Sequence, residues 1–444
     1  SRRDPSRLPS GTQVMPLSRS SRWTFSRPNA NSKFQWPAAI SLLTAIFLGG
    51  IATADQPADT ATDDSLVEVL NRVEAEGVGH TEAMKTMSAQ PKSTDVSTSQ
   101  LFATLNSMSD AKPRAKNWLR LLASQQIEAA ESNATTEADM RALNEDLLSF
   151  FNERAHDGDA RYLIYRHLVD RAPQRREPLL EQAVDDPFIP LRYLAIQREL
   201  DLAEELEGED AIEAFLRLLP LARHPDHLRD ITASLKKLER PVQLAKQLAM
   251  IMQWQVIAPF GNKDSEGFDQ VYEVETKYTD SPLDTKLTNQ SFAAKSDSAN
   301  AGETGAEPSG DMLDWQSLAT EDNAGMVDLN PTYDNAKDAI AYAVCFFELP
   351  EGETTDVQAR LGCINANKAW VNGKPVLSNE VYHSGSSIDQ YVSNCQLRPG
   401  LNSVLLKICQ NNQTQPWAQD WHFQFRLTDS TGRGIPVTVV NVAP

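Results

Sequence analysis

The chain has 444 residues, with 42 basic and 61 acidic side chains and a formal net charge of −19. That balance argues against nucleic acid or an anionic lipid surface as a partner, because phosphates attract faces rich in Lys and Arg. It suits solubility, and the length is enough for two or more domains.

Residues 36–51, from Trp36 to Ile51, form an apolar run shorter than the ~20 residues of a membrane span. Seven basic residues (Arg2, Arg3, Arg7, Arg19, Arg22, Arg27 and Lys33) and one acid, Asp4, precede it, and Ala52-Thr53-Ala54 follows. A basic region, a short apolar core and a small-x-small end predict a secretory signal peptide over 1–54, cleaved after Ala54, with Met15 as a candidate initiator. An uncleaved anchor is the alternative. Taking its seven basic residues and one acid from 42 and 61 leaves 35 and 60, a net charge of −25. The mature protein is expected in the periplasm or outside the cell, with no membrane span after cleavage.

Residues 55–98 read as a linker, since 55–63 and 84–98 are rich in Thr, Ser, Asp and Ala with little apolar periodicity. From 99 to 252 the pattern is helical. Ile212, Phe215, Leu216 and Leu219 mark one face of a helix, and Ile231, Leu235 and Leu238 repeat the spacing. Pro241 fits a first helical turn that leads into Val242, Ala245, Ala249 and Met252. Short helices in succession suggest a stack of helical hairpins. Asp185-Asp186-Pro187, followed by Arg192 and Ala195, resembles the signature of HEAT-like repeats, with a plain bundle as the alternative.

At Trp254 the period changes, and 253–444 reads as a β domain. Trp254 to Phe260 is the first strand-like run. A segment over 291–310, dominated by Ala, Ser, Gly, Asp, Glu and Pro, reads as a flexible insertion. Strand signals follow at 340–349, 357–363, 368–372, 388–397, 402–409 and 421–428, and 435–442 adds an edge strand. Trp421, Phe423, Phe425 and Leu427 alternate with polar residues, as in a half-buried strand. Asn372-Gly373 between apolar runs predicts a hairpin with a type I′ turn, whose two central residues both need φ > 0. Leu401 to Ile408 is nearly unbroken in apolar residues, as in a strand covered on both faces. The fold class expected is α+β multidomain: a helical region, HEAT-like or a bundle, followed by an antiparallel β-sandwich.

Residues 254–429 resemble a module of exported bacterial proteins. The residues that carry the likeness are Trp254 to Asn262 (with Ala258 where the module has Gly), Gly267-Phe268-Asp269, Trp370 to Lys374, Asp389-Gln390, Leu397 to Lys407 and Phe423 to Asp429. The hairpin and the Gly400-x-Asn402 strand are also similar to the galactose-binding-like jelly roll of family 2 glycoside hydrolases. The resemblance implies a jelly roll that binds rather than catalyses, because in those enzymes the chemistry lies in a separate barrel.

The chemistry of the residues points the same way. Sugar binding needs an exposed aromatic plane and convergent polar groups. The ligand-binding candidates are Trp417, Tyr382, His383, Asp389 and Gln390, with Trp417 foremost because it stands in a loop of amides. Trp370 and Trp421 read as core. His383, Ser384 and Asp389 lie close in sequence, but no Gly-x-Ser-x-Gly elbow presents the serine. His224 and His227 lack an evident third metal ligand. Sixty acids identify no glycosidase pair. No Walker loop, dinucleotide fingerprint or HExxH occurs.

No cofactor is expected, apart from a structural calcium ion of the kind jelly rolls often hold. Cys345, Cys363, Cys395 and Cys409 allow three pairings, of which Cys345–Cys409 and Cys363–Cys395 would each join strands of one sheet, with buried free thiols as the alternative. The function expected is a secreted, non-catalytic protein that recognises carbohydrate or a cell-envelope partner. The alternatives are a protein-interaction scaffold using the helical region and a glycan hydrolase.

Overall fold

A computed structural model describes residues 65–92, 96–294 and 312–440, all within one compact unit that begins at Asp63. The signal peptide, the linker up to residue 64, residues 295–310 of the insertion and the last residues of the edge strand lie outside the described residues. Helices fill the N-terminal half and antiparallel sheets the C-terminal half, an α+β arrangement.

The helices are α1 (Leu66–Asn71), α2 (His80–Ala89), α3 (Thr98–Asn106), α4 (Pro113–Asn133), α5 (Glu137–Asn152), α6 (Gly158–Arg171), α7 (Arg176–Glu181), α8 (Ile189–Ala203), α9 (Gly208–Leu218), α10 (Pro225–Lys237) and α11 (Leu244–Gln247). Ser65, Ser97 and Thr136 close capping boxes with Glu68, Gln100 and Asp139, so each side chain satisfies an orphan N–H at a helix start. Contacts run mainly between sequence neighbours, with α4 also touching α1 and α6, and α8 touching α10. Asp186 and Arg161 form a fully buried bidentate pair at 3.0 and 2.6 Å, which ties the α8 entry to α6. Among the described residues no helix is long and apolar enough to cross a membrane.

The helical half differs from the sequence reading at three places. Part of the supposed linker is folded: α1 and α2 lie within it, and Leu70, Ala83 and Met87 sit in the helical core. Their low apolar density hid short helices that are stabilised by packing rather than by propensity. Leu216 is exposed, and α9 buries Ala211, Ala214 and Leu218 beside Ile212 and Phe215. The helix expected from Pro241 lasts one turn. The Ala245 N–H goes to the Asn323 carbonyl at 2.7 Å, Ala249 takes φ +54°, and the Ile251 N–H joins the Phe425 carbonyl at 2.9 Å.

The strands are β1 (Gln253–Gly261), β2 (Phe292–Ala293), β3 (Met312–Leu313), β4 (Gln316–Ala319), β5 (Val327–Asp328), β6 (Ala339–Glu348), β7 (Asp356–Cys363), β8 (Asn367–Val371), β9 (Lys374–Asn379), β10 (Tyr391–Gln396), β11 (Leu401–Gln410), β12 (His422–Thr428) and β13 (Thr438–Val439). The large sheet runs β4-β1-β6-β11-β8-β9, with β13 on the far part of β6, and the small one runs β10-β7-β12-β5. The two share a core of alternate side chains: Ala341, Ala343, Cys345, Val404, Leu406 and Ile408 from one, and Leu361, Cys363, Phe423, Phe425 and Leu427 from the other.

The opposite face of the large sheet is covered too, by the segment after β1, which includes α12 (Glu273–Asp280). There Ile340, Tyr342, Val344, Phe346 and Leu405 meet Phe268, Tyr272, Val274, Tyr278 and Phe292. Burial of both faces is the reason β6 and β11 carry almost continuous apolar runs.

The hairpin residues act through the backbone and, at Asn372, through the side chain as well. Asn372 and Gly373 have φ +49° and +78°. The Asn372 side chain accepts from the Ser403 N–H at 2.9 Å and donates to Asn402 Oδ1 at 2.8 Å. Asn402, fully buried, bridges back to Arg398 and Gly400 and so shapes the turn into β11.

All four cysteines are free, and neither expected pairing is reachable. Cys345 stands opposite Val404, five positions from Cys409, and the two thiols occupy opposite faces of the sheet. Cys395 stands opposite Val357, six positions from Cys363. At ~3.3 Å per residue both separations far exceed the ~7 Å Cα limit of a disulfide. Burial pushes the Cys345, Cys363 and Cys409 thiols up to about 12 and Cys395 to about 11.

Candidate ligand-binding surface

Two loops meet at one end of the large sheet, residues 380–390 between β9 and β10 and residues 411–421 between β11 and β12. Trp417 rides on a single 3-10 turn, Pro416–Ala418, and is 58% exposed. Its ring meets that of His383 edge to face, with centroids 5.4 Å apart. His383 Nε2 lies 2.9 Å from Asn411 Oδ1, an acceptor that fixes Nε2 as the protonated nitrogen. Tyr382 follows at 6.2 Å from His383, and its hydroxyl accepts from Asn262 Nδ2 at 3.0 Å. Asn262, fully buried at the end of β1, also donates to the Gln410 carbonyl and so ties both loops to the sheet. Burial pushes the Tyr382 hydroxyl up to about 12, which keeps it neutral.

Asp389 and Gln390 are not part of this platform. Asp389 accepts from Arg426 Nε and Nη2 at 2.8 and 2.5 Å and from Arg360 Nη1 at 2.7 Å. Burial would raise its pKa, but the two guanidiniums outweigh burial and hold the carboxyl below the usual range. Gln390 closes its own loop, accepting from the Cys363 N–H and donating to Ser384 Oγ. The sequence offers both as polar loop residues able to meet hydroxyls, and it does not show whether a loop turns such a residue outward or onto a buried partner. Arg360 and Arg426 sit at positions on β7 and β12 that alternation reads as solvent-facing, so nothing in the sequence marked them as partners of Asp389.

The Ser-His-Asp grouping is not assembled, since His383 bonds Asn411, Ser384 bonds Gly385 and Gln390, and Asp389 bonds two arginines. Among the described residues no group of three or more His, Cys, Asp and Glu side chains has the arrangement of a metal site. Asn262 Oδ1 and Asp338 Oδ1, buried without partners, supply two oxygens at the ends of β1 and β6, short of the six to eight that calcium takes.

His224 and His227 have ring centroids 5.8 Å apart. His224 Nδ1 caps α10 by accepting from the Asp226 N–H, and His227 is buried against Tyr193 at 4.2 Å. Burial, with His224 adding to it, lowers the His227 pKa from 6.5 to about 4. Its contribution to stability is complete above pH 6.5 and is lost as pH falls through about 4, because only the unfolded chain takes up the proton in between. The loss is on the order of 3 kcal/mol. Urea unfolding of the His227→Gln variant at a series of pH values should give a visibly flatter curve over that window than wild type; an identical slope would show that His227 is not the group responsible.

No family model and no curated protein matches the chain. Among solved structures it is similar to a beta-glycosidase from Bacteroides vulgatus, at 16% identity over 29% of this chain and 18% of that one, TM-score 0.19. It is also similar to the GH31 alpha-xylosidase from Xanthomonas citri, at 15% identity over 26% and 14% of the two chains, TM-score 0.15. The beta-glucosidase from Kluyveromyces marxianus in complex with glucose matches at 11% identity over 53% and 35%, TM-score 0.20. The chain spans about a third or less of the length of these glycosidases, and the structural similarity is weak.

Proposed function

We propose that this is an exported, non-catalytic binding protein whose C-terminal half is a galactose-binding-like jelly roll that recognises carbohydrate through Trp417, His383 and Tyr382. The observation that carries the reading is Trp417, an indole 58% exposed in a loop of amides and held from one side by His383. Such a plane suits the C–H face of a pyranose, and Asn412, Gln413 and Gln415 supply donors and acceptors for its hydroxyls. Two antiparallel sheets over one core support the jelly-roll reading, and the apolar run 36–51 ending in Ala-x-Ala supports export. Neighbour-to-neighbour helix contacts and the buried Asp186–Arg161 pair support a HEAT-like reading of the helical half. Asp389 and Gln390, occupied in their own hydrogen bonds, fall outside the proposed subsite. Asp389, neutralised by two arginines, also lacks the setting of a general acid.

Affinity electrophoresis of the protein through a panel of soluble polysaccharides tests the reading. Retardation by one glycan class is expected, weakened about 30-fold by Trp417→Ala with the thermal midpoint unchanged. No retardation by any of them sinks the proposal, and release of reducing sugar would make the protein a hydrolase instead. A scaffold role is the second reading, favoured by a groove between α4, α6 and α8 that displays Leu121, 56% exposed, beside Tyr162 and Phe188.

A further inference from the structure

Where α8 and α10 approach the turn after β12, two arginines lie close together with no carboxylate hydrogen-bonded to either. Arg192, buried, donates Nε to the Asp186 carbonyl at 2.7 Å and Nη2 to the Asp185 carbonyl, and its Nη1 is buried with no partner. Arg223 donates Nη1 to the carbonyls of Pro220 and Ala222 at 2.6 and 3.0 Å, and its Nε is buried with no partner. His227 Nε2 is a third buried nitrogen without a partner. Arg192, Arg223 and His227 line one narrow cleft with Tyr193 and His224.

The nearby carboxylates are already engaged. Asp429 accepts from the Thr431 and Arg433 N–H groups, the Thr431 hydroxyl and Arg433 Nε. Asp186 is held by both Arg161 nitrogens, Asp185 by Arg154, and Asp226 by Arg229. Burial lowers the pKa of each of the two arginines, and for Arg223 the neighbouring Arg192 lowers it further. Asp185, Asp186 and Asp429 act on Arg192 through space, and Asp429 on Arg223, but none of these carboxylates hydrogen-bonds either guanidinium.

We infer that this cleft binds a small inorganic anion of the halide class, held by Arg192 Nη1, Arg223 Nε and His227 Nε2. Arg192 Nη1 and Arg223 Nε each carry an N–H with no partner, and His227 in its Nε2–H tautomer would add a third, a set that complements an anion rather than a metal ion. The cleft of about 10 Å³ is close to what one water-sized group needs, so a monatomic anion is favoured over phosphate or sulfate. Bound there, it would fasten α8 and α10 to the turn that holds Gly432, whose Cα faces Arg223 and Arg360.

The test compares the full chain in sodium chloride and in sodium gluconate at equal ionic strength, because gluconate is too large to enter. Chloride should raise the thermal midpoint by about 2–4 °C, saturably, since it binds the folded state alone. Bromide should substitute for it, and Arg223→Gln should abolish the difference. Chloride-35 NMR on the folded wild type gives a readout independent of variant stability: excess line broadening that bromide displaces. Equal midpoints in the two salts, no excess broadening, or an undiminished chloride effect in Arg223→Gln would each overturn the inference and leave the cleft to water.

Discussion

Replacing Asp389 by Asn should destabilise the protein by about 3–5 kcal/mol, the cost of leaving a buried ion pair half made. Arg426 is 1% exposed and, among the described residues, its side chain bonds only the Leu248 carbonyl besides Asp389, so without the carboxylate its charge is stranded between the small sheet and the end of the helical half. Asn keeps the volume and the local backbone but not the charge. The Asp389 pKa is depressed below its ordinary 3.8, so its contribution is complete above that value and fades only as pH falls through the lower folded value. Urea unfolding at pH 7 and pH 3 checks both points, with a large difference from wild type at pH 7 that shrinks at pH 3. A variant as stable as wild type at pH 7, with reduced glycan retention, would return Asp389 to the ligand site.

Lys407→Met should cost a similar ~3–5 kcal/mol on the other face of the large sheet. The ammonium is 0% exposed and donates to the carbonyls of Phe268 and Gln270 at 3.1 and 2.7 Å and to Glu275 Oε1 at 2.8 Å. The Tyr342 hydroxyl donates to the same carboxylate oxygen. One lysine thus holds the segment 268–275 onto the sheet, and its loss leaves Glu275 buried without a counter-charge. Removing both charges, as Lys407→Met with Glu275→Leu, should recover part of the loss, since apolar pairs can replace buried ion pairs. The comparison is read from denaturant midpoints of the two variants, and a double variant no better than the single would rule out the ion pair as the source of the effect.

These two positions explain what was legible in advance and what was not. The alternation Phe423, Phe425, Leu427 placed β12 against a core, because one period-two face suffices to declare a buried side. It could not declare that Arg426, on the other face, is buried as well, since that depends on the Ile388–Asp389 loop and Leu248 arriving from distant parts of the chain. Lys407 interrupts an apolar run, and nothing within ten residues supplies its partner Glu275. Among the ligand candidates, exposure of Trp417 in a loop of amides was readable from its neighbours. The departure of Asp389 from that group was not, because two arginines on separate strands decide it. The disulfide pairings failed for the same reason, since register and face are properties of the assembled sheet.

The sequence by itself determined the change from helical to strand period at Trp254, the two-residue Asn372-Gly373 hairpin and the burial of β11 on both faces. Each follows from side-chain periodicity or from a φ that few residues accept. Only the tertiary structure decided which charged groups are paired inside, which thiols stay apart, and which loop residues share a surface. Those outcomes depend on contacts between residues about 25 to 180 positions apart, whose relative placement no local pattern encodes.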